Sequence, residues 1–113
     1  MFRKHVVAIM AMMVLSGCNT TQSQSQQMVA TWYMHGTHTA NGERFNPDGM
    51  TAAHKKLPFN TRLRLTHKDK SVIVRINDRG PFIKGRDIDL SRGVAKILEC
   101  PGICKLQAEI IND

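Results

Sequence analysis

The chain has 113 residues, with 16 lysines and arginines against 9 acids, for a formal net charge of +7. That length supports one small domain with a single core and little stability to spare, which excludes a multidomain layout. The basic excess admits nucleic acid, but the charges are scattered without the aromatic interleaving that single-strand binders use, so no nucleic-acid partner is expected. An anionic polymer or lipid surface is the better match.

Residues 1–17 read as a leader. Arg3 and Lys4 precede an apolar run from Val6 to Leu15, far short of the roughly 20 residues a spanning helix needs. Its ending, Leu15-Ser16-Gly17-Cys18, resembles the bacterial lipoprotein signal. That resemblance implies that Cys18 becomes the mature N-terminus and carries lipid, anchoring the protein to a membrane and facing the periplasm, with the outer membrane expected. With Arg3 and Lys4 set aside, 14 basic residues face 9 acids, near +5. Residues 18–28 are expected to be a tether, because Asn19 to Gln27 has no apolar side chain to offset the entropy of ordering. The folded domain is then expected at 29–113.

Within it, Val29 to Met34 reads as a first strand and His35 to Gly49 as a long loop of Gly, Thr, Asn, Pro and Asp. Met50 to His54 is a short strand followed by a turn at Leu57-Pro58-Phe59-Asn60. Thr61 to His67 alternates, with Leu63 and Leu65 inward and Arg62 and Arg64 outward. Lys68-Asp69-Lys70 turns the chain into a strand from Ser71 to Asn77, with Val72, Val74 and Ile76 on one face and Ile73, Arg75 and Asn77 on the other. Gly85 to Leu90 is a short extended piece. Ser91 is a helix N-cap, with Val94, Ala95 and Leu98 on one helical face. Gly93 weakens that helix and Pro101-Gly102 stops it, ahead of a last strand carrying Leu106, Ala108 and Ile110. Many short strands with one short helix imply a small closed β-barrel.

Asp78 ends the alternating strand just before Arg79-Gly80-Pro81. A carboxyl group there suits proton transfer. It equally suits a turn-opening acid, or an acid paired with Arg79. Trp32 and Tyr33 suit sugar stacking or core packing, and Phe45, Phe59 and Phe82 read as packing. The histidines at 35, 38, 54 and 67 have no spacing that marks a metal site, so neither metal nor cofactor is expected. Apart from Cys18, the thiols are Cys100 and Cys104. Export and the intervening Pro101-Gly102 turn favour a local disulfide, with free thiols the alternative.

Four ordered segments carry a resemblance. They are Thr39-Ala40-Asn41-Gly42-Glu43-Arg44-Phe45, Met50-Thr51-Ala52-Ala53-His54-Lys55-Lys56-Leu57-Pro58-Phe59, Val74-Arg75-Ile76-Asn77-Asp78-Arg79-Gly80-Pro81-Phe82 and Arg86-Asp87-Ile88-Asp89-Leu90-Ser91. Together they resemble the rare lipoprotein A family of septal-ring lytic transglycosylases, over essentially Ala30 to the C-terminus. The resemblance implies a mainly β, six-stranded double-psi β-barrel with one or two short helices. It implies an endolytic lyase that cleaves peptidoglycan glycan strands, preferably those poor in stem peptides, to 1,6-anhydro-muramic ends. Functional residues of the family fall on Glu43, His54 and Asp78. Tyr33, Asn41, Asn77 and Arg79 are expected to bind substrate around them, in a monomer. Double-psi barrels also occur in expansin-like proteins, so a noncatalytic glycan-binding or wall-loosening module is the alternative.

Overall fold

The computed structural model describes residues 24–112. The leader, Cys18 and most of the expected tether lie outside them. Six strands follow in chain order: β1 (Ser25–Tyr33), β2 (Thr51–His54), β3 (Arg62–His67), β4 (Lys70–Asp78), β5 (Ile88–Ser91) and β6 (Cys104–Ile110), with helix α1 (Arg92–Leu98) between the last two. They close into a barrel in the order β1-β5-β2-β4-β3-β6. The β1/β5 and β2/β4 pairs are parallel and the other neighbours antiparallel. This is the mainly β, six-stranded closed barrel that the resemblance implied.

The period-two pattern sets the core. Leu63, Leu65, Val74, Ile76, Ile88 and Leu90 are each essentially inaccessible to solvent, and Leu106 and Ala108 close the layer from β6. Helix α1 plugs one end with Val94, Ala95 and Leu98. The side chain of Ser91 caps it by accepting from the Val94 N–H. The helix ends before Pro101-Gly102, because Glu99 takes a left-handed conformation (φ 56°) and its N–H returns to the Ala95 and Lys96 carbonyls. Cys100 and Cys104 are joined by a disulfide, with Cα atoms 5.7 Å apart.

Two sequence expectations need correction here. The tether expected to run to Met28 stops short of it, since β1 starts at Ser25, where Ser25, Gln26 and Gln27 pair with Glu109, Ala108 and Gln107 of β6. A ladder is made by the backbone, so exposed polar side chains do not prevent it. The second correction concerns Gly93, which is more than a weak helix residue. A Cβ there would lie 2.7 Å from the Asp48 carbonyl oxygen, and the Gly93 N–H donates to the Pro47 carbonyl at 2.8 Å. The loop from His35 to Gly49 rests against the helix at that point.

Candidate active site

The last residues of β4 make the site. Along the β2/β4 pair, Ala52 faces Ile76 but Ala53 faces Asp78, so Asn77 is an extra residue in a β-bulge. A bulge bends its strand and re-aims the side chains that follow. Strict alternation would put Asp78 in line with Val74 and Ile76, in the core. The bulge instead places it in register with Ala53, whose other neighbour is Asp89. Asp89 stands between the core residues Ile88 and Leu90 and therefore points away from the core.

Three donors converge on the Asp78 carboxyl group. The backbone N–H groups of Ala40 and Arg79 donate to Oδ1 at 2.8 and 2.9 Å. The hydroxyl of Tyr33 donates to Oδ2 at 2.9 Å. Tyr33 is half-buried and stacks on the buried ring of Phe45, with centroids 4.7 Å apart. Burial first, then the bond to Asp78, hold its phenol well above the usual range, so it remains a donor. The loop thus supplies both the Ala40 amide and the Phe45 platform.

Beside this cluster lies a second one. Arg75 grips Glu43 with two bonds of 2.7 and 2.9 Å, and Asn77 and Asn41 each donate to the same carboxylate at 3.0 Å. The Asn41 N–H also donates to the Asn77 carbonyl. These bonds, that of Arg75 foremost, hold the Glu43 carboxyl down to about 2 from 4.5. Glu43 is therefore a fixed anion at neutral pH and no proton donor. It ties the loop to the bulge and so places the Ala40 amide on Asp78. Sequence reading missed Arg75 as the clamp. The signal was its position two residues before Asn77, on the same face of β4.

His54 ends β2, one residue after Ala53, the register partner of Asp78. Its Nδ1 accepts from the backbone N–H groups of Lys56 and Leu57, each at 3.1 Å, so the proton of the neutral ring is on Nε2. Burial lowers its pKa below 6.5 against the pull of Asp87, with Arg79 adding to the lowering. Among the described residues no hydrogen bond joins it to Asp78, and the bonds that His54 makes hold the turn after β2.

Arg79 does not pair with Asp78 through its side chain. The guanidinium donates to the carbonyls of His54 and Leu57 at 3.1 and 2.8 Å and lies 4.0 Å over the Phe59 ring. These contacts brace the turn after β2. Phe82 also departs from expectation. It follows a cis Gly80–Pro81 bond and is 81 % exposed, so it packs against very little. Trp32 packs on the core and donates to the Pro101 carbonyl, beside an apolar cavity of about 390 Å³ that shares no residue with the Asp78 cluster.

Residues 25–112 match the family model described as lytic transglycolase. The chain belongs to the lytic transglycolase family. It is similar to a protein of Nostoc sp. named probable endolytic peptidoglycan transglycosylase RlpA, with 49 % identity over 97 residues that cover 78 % of this chain and 26 % of the relative. It is 44 % identical over 91 residues to the endolytic peptidoglycan transglycosylase RlpA of Campylobacter jejuni, covering 74 % and 33 %. The Pseudomonas aeruginosa PAO1 protein of that name is 57 % identical over 74 residues, covering 61 % and 22 %. The chain thus spans between a fifth and a third of the length of these relatives. Among solved structures it is similar to the Streptomyces papain inhibitor, with a TM-score of 0.63, 17 % identity and coverage of 79 % of this chain and 96 % of the other. At that identity the likeness concerns the barrel alone. Two backbone amides on one oxygen and a phenol on the other fix the Asp78 carboxyl group in place.

Proposed function

We propose that this domain cleaves peptidoglycan glycan strands by endolytic transglycosylation, with Asp78 as acid and then base. The observation that carries the reading is the convergence of Tyr33, Ala40 and Arg79 on the Asp78 carboxyl group. In the first step a proton moves from the Asp78 carboxyl group to the glycosidic oxygen as the bond from the anomeric carbon breaks. In the second the 6-hydroxyl of the same sugar bonds to that carbon and returns its proton to Asp78. The proton is regenerated, no water is consumed, and a 1,6-anhydro end results. One carboxyl group serving in turn as acid and base follows the role switch of retaining glycosidases. Glu43, held ionised by Arg75, keeps the loop in place.

Glycan poor in stem peptides is the proposed substrate, and Asn41 and Asn77 border it through the Glu43 cluster. The mature protein is proposed to be a monomer that begins at Cys18, with a lipid adduct on that residue, in the outer membrane and facing the periplasm. Intact-mass measurement of protein from membranes is expected to show a diacyl or triacyl adduct. An unmodified soluble protein would refute the anchor.

The decisive experiment incubates residues 19–113 with denuded peptidoglycan and reads the products by mass spectrometry. Anhydro-muramic ends are expected, with a loss of about 10²-fold or more in Asp78→Asn. Near-normal turnover in that variant would overturn the role of Asp78. Glycan binding without cleavage by the folded wild type would favour the expansin-like reading.

A further inference from the structure

Strand direction decides what each end of the barrel carries. β1, β3 and β5 run one way and β2, β4 and β6 the other. Helix α1 follows β5 and covers the end where β5 finishes. The opposite end gathers the starts of β1, β3 and β5 and the finishes of β2, β4 and β6. Among the described residues no helix covers it. It opens as a groove of about 800 Å³ whose apolar lining comes from Met28, Leu57, Leu63, Ala108 and Ile110.

The turns at this end are basic with an apolar tip. Lys55 and Lys56, just after β2, are exposed. The segment from β4 to β5 exposes Phe82 (81 %), Ile83 (54 %) and Lys84. The Lys55 ammonium donates to the Arg86 carbonyl at 3.1 Å and so sets the two turns side by side. Asp87 fastens the second turn to β1, its N–H donating to the Val29 carbonyl and its carboxylate accepting from the Val29 N–H. Lys55, Lys56, Lys84 and Arg86 thus stand with one acid, Asp87, which is already engaged. The ammonium groups of Lys56 and Lys84 make no hydrogen bond or ion pair among the described residues.

We propose that this end of the barrel docks on an anionic phospholipid bilayer, with the lysines on lipid phosphates and the Phe82-Ile83 tip in the headgroup region. The proposal rests on the proposed anchor at Cys18 and adds a contact made by the folded domain itself. Residues 18–24 separate that anchor from Ser25, where β1 begins. Seven residues span at most about 25 Å even when fully extended. A lipid on Cys18 therefore holds this end, and not the α1 end, close to the membrane. Each Lys or Arg brought near an anionic leaflet favours the bound state roughly fivefold. Exposed apolar side chains rimmed by cations suit the same surface. A wall polymer would answer the charge but not the apolar tip or the short reach from Cys18.

The test uses the mature chain, residues 18–113, carrying Cys18→Ser so that no lipid is attached. Its cosedimentation is measured with vesicles of one third phosphatidylglycerol and two thirds phosphatidylcholine, and with phosphatidylcholine alone, in about 100 mM salt. Preference for the anionic vesicles is expected, and Lys56→Gln with Lys84→Gln should weaken binding roughly tenfold or more. Ile83→Ser should weaken it severalfold; Ile83 is chosen because the Phe82 ring is tested separately against glycan. The control is Lys68→Gln with Lys96→Gln, which removes the same charge from exposed positions at the α1 end and should change little. Melting curves establish that each variant is folded. No preference for anionic vesicles, or equal losses in the two lysine pairs, would overturn the proposal. So would sedimentation with purified sacculi that depends on Lys56 and Lys84 without vesicle binding, which would assign the face to wall polymer. The anchor is read separately by intact mass. A missing adduct with lysine-dependent vesicle binding would sink the anchor alone, and an adduct without vesicle binding would sink only the docking face.

Discussion

Tyr33 and Asp78 lie 45 positions apart and meet in one hydrogen bond of 2.9 Å, phenol to carboxyl. The bond joins the first strand to the end of the fourth across two intervening strands of the barrel. Tyr33→Phe keeps the ring stacked on Phe45 and removes only the hydroxyl. It should cost about 1 kcal/mol of stability, with roughly a tenfold loss of turnover if the bond steadies the reacting oxygen. Melting curves together with product release on denuded glycan check it, and unchanged turnover would remove Tyr33 from the site.

Glu43 offers a pH prediction whose sign is fixed. Its carboxyl sits at about 2 in the folded protein against 4.5 ordinarily, chiefly through Arg75. A depressed acid stabilises the fold fully above its unfolded value and loses that contribution as pH falls through the folded one. The melting-temperature gap between wild type and Glu43→Gln should therefore be widest above pH 4.5 and close toward pH 2. Both partners are 38 % exposed, so the gap is expected to be modest and to shrink in high salt. A gap that persists unchanged at pH 2 would mean that the ion pair is not its source.

Gly93→Ala sets two effects against each other. Alanine gains about 1 kcal/mol over glycine in a helix interior, and less at Gly93, the second residue of α1. Here the new methyl would meet Asp48 backbone atoms at 2.7 to 2.9 Å, and overpacking of this kind costs about 1–3 kcal/mol. The clash should win, lowering the melting point and loosening the loop that carries Ala40 and Glu43. Gly102→Ala, with open space around it, is the control and should be close to neutral. A stabilised Gly93→Ala would show that the loop yields freely.

Phe82 stands exposed shortly after β4 ends at Asp78, across the Gly80-Pro81 turn. Phe82→Ala should leave the melting point within the range typical of surface changes, about 0.5 kcal/mol. If the ring lies on the sugar, glycan affinity should fall roughly fivefold, as expected for loss of one aromatic contact. Affinity measured on the Asp78→Asn background decides it. No change would leave Phe82 outside the glycan path.

Much of this architecture was legible from local pattern. Leu63, Leu65, Val74 and Ile76 are buried where alternation placed them, and Ser91 caps α1 as its position indicated. What escaped depended on partners distant in the chain. The extra residue at Asn77 is defined only by the register of β2 against β4, so period two alone sends Asp78 to the wrong face. The direction of Arg79 is set by carbonyls of His54 and Leu57 that the turn after β2 presents. The motif match grouped Asp78, His54 and Glu43, but their hydrogen bonds differ: Tyr33, Ala40 and Arg79 hold Asp78, the turn amides of Lys56 and Leu57 bond His54, and Arg75 clamps Glu43.

The barrel closes by pairing β1 with β6, and Ser25 lies opposite Glu109. The chain therefore enters and leaves the domain at the same corner, on adjacent strands that run in opposite directions. Tension applied between residues 25 and 110 would act across that ladder and not along it. Its bonds would break in succession, as a zipper opens, with each bearing the load alone. A domain held on one of these strands and pulled on the other is mechanically soft there, however firm its core is to heat.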